Sequence, residues 1–159
     1  MDVSHILDKL NDDQRNAVTS EKQHLLVLAG AGSGKTRVLV HKIAWQVEAI
    51  GINPSAIMAV TFTNKAANEM RSRIESLLKA PMLDSWVGTF HGLSHKLLKR
   101  FHNEAGLSSG FTIIDSDDQL RIIKRISKEI GLDDATWPAR QSQWQINNWK
   151  DDGLRSKNI

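Results

Sequence analysis

Residues 29–36 combine residue types that can bind a phosphate group. The run reads Ala29, Gly30, Ala31, Gly32, Ser33, Gly34, Lys35 and Thr36. Glycines let consecutive backbone N–H groups surround an anion, lysine neutralises β- and γ-phosphate oxygens, and a threonine hydroxyl can bind Mg²⁺. The spacing matches a P-loop except that Ala29 replaces the first glycine. It predicts a site for nucleotide phosphates, and the alternative is a flexible linker that happens to precede a lysine.

Gln14 lies three residues after Asn11, and this spacing has two interpretations. The pair fits a capping box, in which the two side chains bind each other's backbone N–H at the start of a helix. A glutamine amide can also donate and accept together, so it can pair with an adenine edge. Spacing alone favours the capping box.

Polar residues and a phenylalanine lie where two predicted strands end. They are Phe62, Thr63 and Asn64 at the end of one strand, and Thr89, Phe90 and His91 at the end of the next. Parallel sheets bind ligands at the carboxyl ends of their strands. An aromatic ring beside hydroxyl and amide groups there suits single-stranded nucleic acid, because the ring stacks a base while polar groups hold phosphates. Taken one at a time, these residues fit simple strand-end packing better.

The elements that must position these residues alternate along the first half of the chain. Apolar runs and helical periodicity predict strand 24–29, helix 35–49, strand 57–61, helix 65–79 and strand 86–90. Strands that alternate with helices of this length predict right-handed crossovers and a parallel sheet. We therefore expect an α/β fold with an incomplete sheet, since doubly wound sheets have about five to six strands.

Helical patterns replace this alternation from residue 91 onward. We expect two regions, a nucleotide-fold part over residues 1–90 and a helical part over residues 91–159. Ser116 and Gln119 predict a capping box that starts one of the helices. Asp115, which follows a short apolar run, imitates a Mg²⁺ ligand at a strand end, but it has no adjacent glutamate.

The composition is that of an ordinary globular chain. It has 159 residues, 21 Lys and Arg against 18 Asp and Glu, a net charge of +3 and no cysteine. The lack of cysteine excludes a disulfide scaffold and a zinc–thiolate site, and it favours a reducing compartment, with the cytoplasm as the default. No apolar run approaches the roughly 20 residues that span a bilayer, so we expect no membrane partner.

Four stretches together resemble the first motifs of superfamily 1 DNA helicases of the UvrD/Rep/PcrA type, in order and in spacing. The stretches are residues 10–14, 29–37, 61–67 and 88–92. The resemblance extends over the whole chain and implies a RecA-like core whose sheet is interrupted by a helical insertion. These helicases also carry a later Asp-Glu pair and arginines from a second domain, which this sequence lacks. The resemblance therefore implies the N-terminal portion of a longer enzyme.

The resemblance also implies roles for individual residues. Gln14 would read adenine, Lys35 and Thr36 would hold phosphates and Mg²⁺, and Arg37 would pack on the base. The residues implied to contact single-stranded DNA are Phe62, Thr63, Asn64, Thr89 and His91. The implied activity is ATP-dependent unwinding in the 3′ to 5′ direction during DNA repair, with repair proteins as partners. We expect the 159 residues alone to lack hydrolysis.

Two alternatives stay open at this stage. The chain could be a non-catalytic fragment that binds nucleotide or single-stranded DNA, or it could be a small P-loop kinase. A kinase needs an acceptor pocket and a mobile lid that carries arginine, and no segment of the sequence stands out as either.

Overall fold

The chain divides into two compact units, Met1–Gly106 and Leu107–Ile159. A computed structural model describes residues 3–158. The first unit holds α1 (Ser4–Leu7), α2 (Asp12–Thr19), α3 (Lys35–Glu48), a short 3-10 helix (Pro54–Ala56), β1 (Met58–Thr61), α4 (Asn64–Leu78), β2 (Trp86–Thr89) and α5 (Phe90–Arg100).

The sheet of the first unit consists of β1 and β2, which run parallel. Met58 lies opposite Trp86, and Thr61 lies opposite Thr89, so the two strands end side by side. α4 connects them, as the alternation of strand and helix predicts. The prediction of a mixed helix and strand fold with parallel pairing is confirmed for these two strands.

The predicted strand over residues 24–29 is wrong for this structure. The segment forms no strand, and Leu26 and Leu28 are 80% and 85% exposed. An apolar run becomes a strand only when a neighbouring strand satisfies its N–H and C=O groups. Among the described residues no strand lies beside this segment, so the predicted sheet of three strands has two.

The core of the first unit lies between α3, α4 and the sheet. Its buried members are Val40, Ile43, Ile57, Ala59, Met70, Ile74, Met82 and Val87. Apolar residues at a spacing of three or four place one face of each helix against this cluster. The predicted helices 35–49 and 65–79 are confirmed to within one residue at each end.

A second cluster attaches α2 to the other face of α3. Leu10, Val18 and Val38 are buried together. The ring nitrogen Nδ1 of His41 lies 2.5 Å from the carbonyl oxygen of Ile6, which ties α1 to the same helix. α3 is therefore held by α1, α2 and α4, and its first turn has a fixed position in the unit.

The Lys42 ammonium on α3 makes a further connection to the segment after α2. Its Nζ donates a hydrogen bond to the Ser20 carbonyl oxygen at 2.5 Å. Burial lowers the pKa of Lys42, and the nearby Glu21 carboxylate opposes that change. This hydrogen bond ties the middle of α3 to the segment that follows α2.

The second unit consists of α6 (Ser116–Glu129), α7 (Ala139–Asp151) and a 3-10 turn (Ser156–Asn158). Polar side chains join the two helices, with the Gln119 amide donating to Asn147 Oδ1 at 2.8 Å. The predicted capping box at Ser116 is wrong, because Asp115 caps α6 by accepting from the Asp118 N–H at 2.8 Å. Asp115 has extended backbone, whereas Ser116 is already helical.

α5 starts directly at the end of β2, where the sequence predicts the helical region. It contacts β2 and lies in the first unit. The predicted domain boundary between residues 90 and 91 stays a prediction, since compact packing alone does not define a functional domain. Over residues 3–158, no helix is both long enough and apolar enough to cross a membrane.

Candidate functional site

The loop before α3 turns sharply at two glycines. Gly32 has φ of 75° and Gly34 has φ of 88°, both in the left-handed region that residues with a Cβ rarely adopt. Gly34 directly precedes the first helical residue, Lys35. The first N–H groups of a helix have no partner within it, so they are available to an anion at this end of α3.

The Lys35 side chain folds back over this loop. Its Nζ donates to the carbonyl oxygens of Ala29 at 2.7 Å and Gly30 at 2.6 Å. The Ser33 hydroxyl also donates to the Gly30 oxygen, at 2.7 Å. The Lys35 and Ser33 side chains are both exposed to solvent. Each can therefore release its carbonyl partner in the loop and donate to a phosphate oxygen instead.

Gln14 joins the start of α2 to the loop. Its N–H donates to Asn11 Oδ1 at 2.9 Å, and its Oε1 accepts from the Asn11 N–H at 3.3 Å, which completes the predicted capping box. Its Nε2 donates to the Ser33 carbonyl oxygen at 3.1 Å. Both polar atoms of the amide have partners, and the role of Gln14 in reading adenine stays a prediction.

The backbone conformation at Gly34 favours glycine, and a side chain here would also displace the Gln14 amide. A Cβ at this position would lie 2.9 Å from Nε2 of Gln14, closer than real Cβ contacts allow. At Gly30 and Gly32 a Cβ would meet nothing within 4 Å. The loop therefore has free space beside Gly30 and Gly32, whereas Gly34 packs against the Gln14 side chain.

A cavity of about 410 Å³ lies over the loop. The residues that line it are Gln14, Gly32, Ser33, Gly34, Lys35, Thr36, Arg37 and Arg73. Three of them are cations and none is a carboxylate, so the cavity suits a polyanion. Of the predicted residues of this site, the cavity brings together Gln14 and residues 32–37, whereas Ala29, Gly30 and Ala31 do not line it. Thr36 and Arg37 are exposed beside Lys35.

Sequence reasoning missed Arg73 as a member of this cavity. Arg73 lies on α4, 36 positions after Arg37, and no motif contains it. Its place in the cavity comes from the packing of α4 against α3. Helical periodicity predicts which face of α4 is buried, but it does not predict which other helix that face meets.

The second set of predicted residues lies where β1 and β2 end. Phe62 is 92% exposed and Phe90 is 61% exposed, and their ring centroids are 6.4 Å apart with the planes tilted by 54°. Two exposed aromatic rings on adjacent strand ends form a surface on which a flat ligand can stack. The strand-end pattern includes Phe90, whereas the set of DNA contacts implied by the resemblance does not.

The polar residues of this set hold the starts of two helices. Thr63 Oγ1 accepts from the Ala66 N–H at 3.1 Å, and Thr89 Oγ1 accepts from the Gly92 N–H at 3.2 Å, so both threonines are N-caps. The Thr89 hydroxyl also lies 3.4 Å from Asn64 Oδ1, across the two junctions. His91 is exposed in the first turn of α5.

Comparison with known proteins gives a consistent result. Residues 10–159 match the family described as UvrD/REP helicase N-terminal domain. The chain is 57% identical to DNA helicase II of Escherichia coli over 159 residues, covering 100% of this chain and 22% of that protein. It is 52% identical to DNA helicase II of Haemophilus influenzae over 163 residues, covering 100% of this chain and 22% of that protein.

A relative with a different name extends the similarity. The chain is 42% identical to the ATP-dependent DNA helicase PcrA of Bacillus subtilis over 149 residues, covering 94% of this chain and 20% of that protein. The chain therefore spans about a fifth of the length of these relatives. The resemblance read from residues 10–14, 29–37, 61–67 and 88–92 is confirmed, and the chain belongs to the UvrD/REP helicase N-terminal domain family.

Proposed function

We propose that this chain is the ATP-binding part of an ATP-dependent DNA helicase that acts on single-stranded DNA. The observation that carries the proposal is the cavity over the glycine loop, where three cations face a helix N-terminus without a carboxylate among the lining residues. The names of the relatives, DNA helicase II and ATP-dependent DNA helicase PcrA, support both ATP and DNA as ligands.

Several finer features of the proposal derive from family resemblance. They are movement in the 3′ to 5′ direction, a role in DNA repair with repair proteins as partners, a location in the cytoplasm, and a RecA-like core interrupted by a helical insertion. Family membership argues against a small P-loop kinase. The other alternative, a fragment that binds without turnover, is part of the proposal for these 159 residues.

The residues present fit ATP with Mg²⁺. Open space at Gly30 and Gly32 leaves room for phosphate oxygens against the backbone. In the proposed complex Lys35 Nζ leaves the Ala29 and Gly30 carbonyls for phosphate oxygens. The exposed Thr36 hydroxyl would hold Mg²⁺, which supplies neutralising charge between the phosphate oxygens when bound.

The base would lie on the side of the cavity formed by Gln14 and Arg37. The Gln14 amide offers a donor and an acceptor, and the Arg37 guanidinium is a flat cation suited to stacking on a ring. Gln14 also bonds to Ser33 of the loop. Its contact with adenine would therefore be coupled directly to the loop that holds the phosphates.

We propose that the isolated chain binds ATP without hydrolysing it. Phosphoryl transfer needs a positioned water, a metal held from two sides and an arginine that stabilises the charge of the transition state. No carboxylate is among the residues that line the cavity, so none of them would hold the metal from a second side. Thr36 alone supplies a metal ligand in the proposed site.

The proposed DNA contact is the pair of strand ends. Phe62 and Phe90 would stack unpaired bases, which expose their faces only in single strands. Asn64, Thr89 and His91 lie beside the rings at the starts of α4 and α5. Thr63 would act mainly through its backbone, since its hydroxyl caps α4.

Substitution of Lys35 tests the phosphate site. MgATP at 100 times its Kd should stabilise the chain by about 2.7 kcal/mol, seen as a higher melting temperature. Lys35→Ala should remove most of that shift and leave the melting temperature without ligand nearly unchanged, because the ammonium bonds only to exposed loop carbonyls. Lys99→Ala, an exposed lysine outside the cavity, is the matched control. An undiminished shift in Lys35→Ala would contradict the proposed phosphate contact.

Substitution of Gln14 separates its two roles. Gln14→Glu keeps the acceptor for the Asn11 N–H but loses the Nε2 donor. The added negative charge weakens ATP and GTP alike, so the measurement is the ratio of their affinities by calorimetry. We expect preference for ATP over GTP to fall by about tenfold, the effect of one lost hydrogen bond.

Gln23→Glu, at an exposed position, is the control for charge. The same preference for ATP over GTP in Gln14→Glu and in the parent chain would restrict Gln14 to capping α2.

Substitution of Phe62 tests the DNA surface. Phe62→Ala should weaken binding of single-stranded DNA by about 1–3 kcal/mol, the usual loss for one stacked base. The salt dependence should stay the same, near −0.7 in log K per log salt for each phosphate neutralised, because Phe62 carries no charge. Leu83→Ala removes an exposed apolar side chain of the same unit and serves as control in fluorescence anisotropy at low salt. Equal binding by Phe62→Ala and the parent chain would reduce Phe62 to strand-end packing.

A further inference from the structure

We propose that Arg73 is a further nucleotide-positioning residue, whose guanidinium exchanges the Glu69 carboxylate for the phosphate chain of ATP. The inference rests on the proposed function and extends it to a residue outside the loop and outside α2. Arg73 lies on α4 and lines the same cavity as Lys35 and Arg37.

Arg73 lines two adjoining cavities. The second, of about 430 Å³, is lined by Lys9, Arg37, Val40, His41, Arg73, Ser76 and Leu77. Arg37 and Arg73 are the two residues common to both cavities. No carboxylate is among the residues that line either cavity, so an anion beside Arg73 meets attraction from its guanidinium and repulsion from none of these residues.

The ion pair of Arg73 with Glu69 is suited to exchange. The two side chains lie one turn apart on α4 and are 52% and 53% exposed. Surface pairs of this kind contribute little to stability, because water solvates both charges well when they separate. Release of the Glu69 carboxylate to solvent therefore opposes nucleotide binding only weakly.

The chemistry of arginine favours phosphate as the new partner. A guanidinium presents a planar set of donors that can bind two phosphate oxygens at once. Lys35 already faces the loop carbonyls and Arg37 stands at the first turn of α3. Arg73 would add a third cation from a different helix, so that α3 and α4 both contact the bound nucleotide.

Substitution of each partner of the ion pair tests the inference. Arg73→Gln should weaken MgATP binding by about tenfold, the effect of one charged hydrogen bond. Glu69→Gln should keep or raise the affinity, because it removes the competing carboxylate and leaves the arginine. Arg73→Lys, which keeps the charge, should recover part of the loss. Calorimetry with MgATP, MgADP and AMP measures each affinity, and the loss in Arg73→Gln should shrink as phosphates are removed.

A purely structural ion pair gives a different result. Because both substitutions break the pair, Arg73→Gln and Glu69→Gln would then change the melting temperature by the same amount. They would also have the same affinity for nucleotide, and that result would overturn the inference. Unchanged MgATP binding by Arg73→Gln, with weaker binding of single-stranded DNA, would also overturn it and assign the residue to nucleic-acid phosphates.

The proposed function and the inference can fail separately. If the parent chain binds MgATP and Arg73→Gln binds it equally well, only the role of Arg73 is wrong. If the parent chain binds no MgATP at all, the proposed function and the inference fail together.

Discussion

The left-handed turn from Gly32 to Gly34 is the constraint on which the proposed site depends. It lets the chain enter α3 at Lys35 and leaves the first N–H groups of the helix facing the cavity. The turn has a fixed position because α3 is anchored on two faces, by Val40 and Ile43 in one cluster and by Val38 in the other. The loop itself is exposed, so its geometry is maintained by the helix that follows it and by the Gln14 amide.

α4 relates the two candidate sites to each other. Its N-cap Thr63 directly follows Phe62 at the strand-end surface. Arg73, nearer the C-terminus of the same helix, lines the cavity over the glycine loop. The buried residues Met70 and Ile74 hold this helix against α3 and the sheet. A displacement of α4 would therefore affect both surfaces, which would couple the proposed nucleotide contact to the proposed DNA contact.

The sequence predicts the parts of this arrangement that depend on local pattern. Spacing of apolar residues predicts α3 and α4, and the strand–helix alternation predicts the parallel pairing of β1 and β2. The segment 24–29 shows the limit of such reasoning, because an apolar run does not specify which strand will pair with it. The sequence pattern predicts Ser116 as the cap of α6, whereas the structure has Asp115, since both residue types cap helices and only backbone conformation separates them. Arg73 carries no local signal at all, because it reaches the cavity through the packing of two helices.

We propose that the glycine loop and the first turn of α3 form a phosphate site before any ligand arrives. Titration of the isotope-labelled chain with MgATP, followed by backbone amide chemical shifts in NMR, shows where the nucleotide binds. We expect the largest shifts on the amides of Gly32, Gly34, Lys35 and Thr36, while those of α6 and α7 stay nearly constant. Shifts concentrated in the second unit, or spread evenly over the chain with no maximum at the loop, would contradict it.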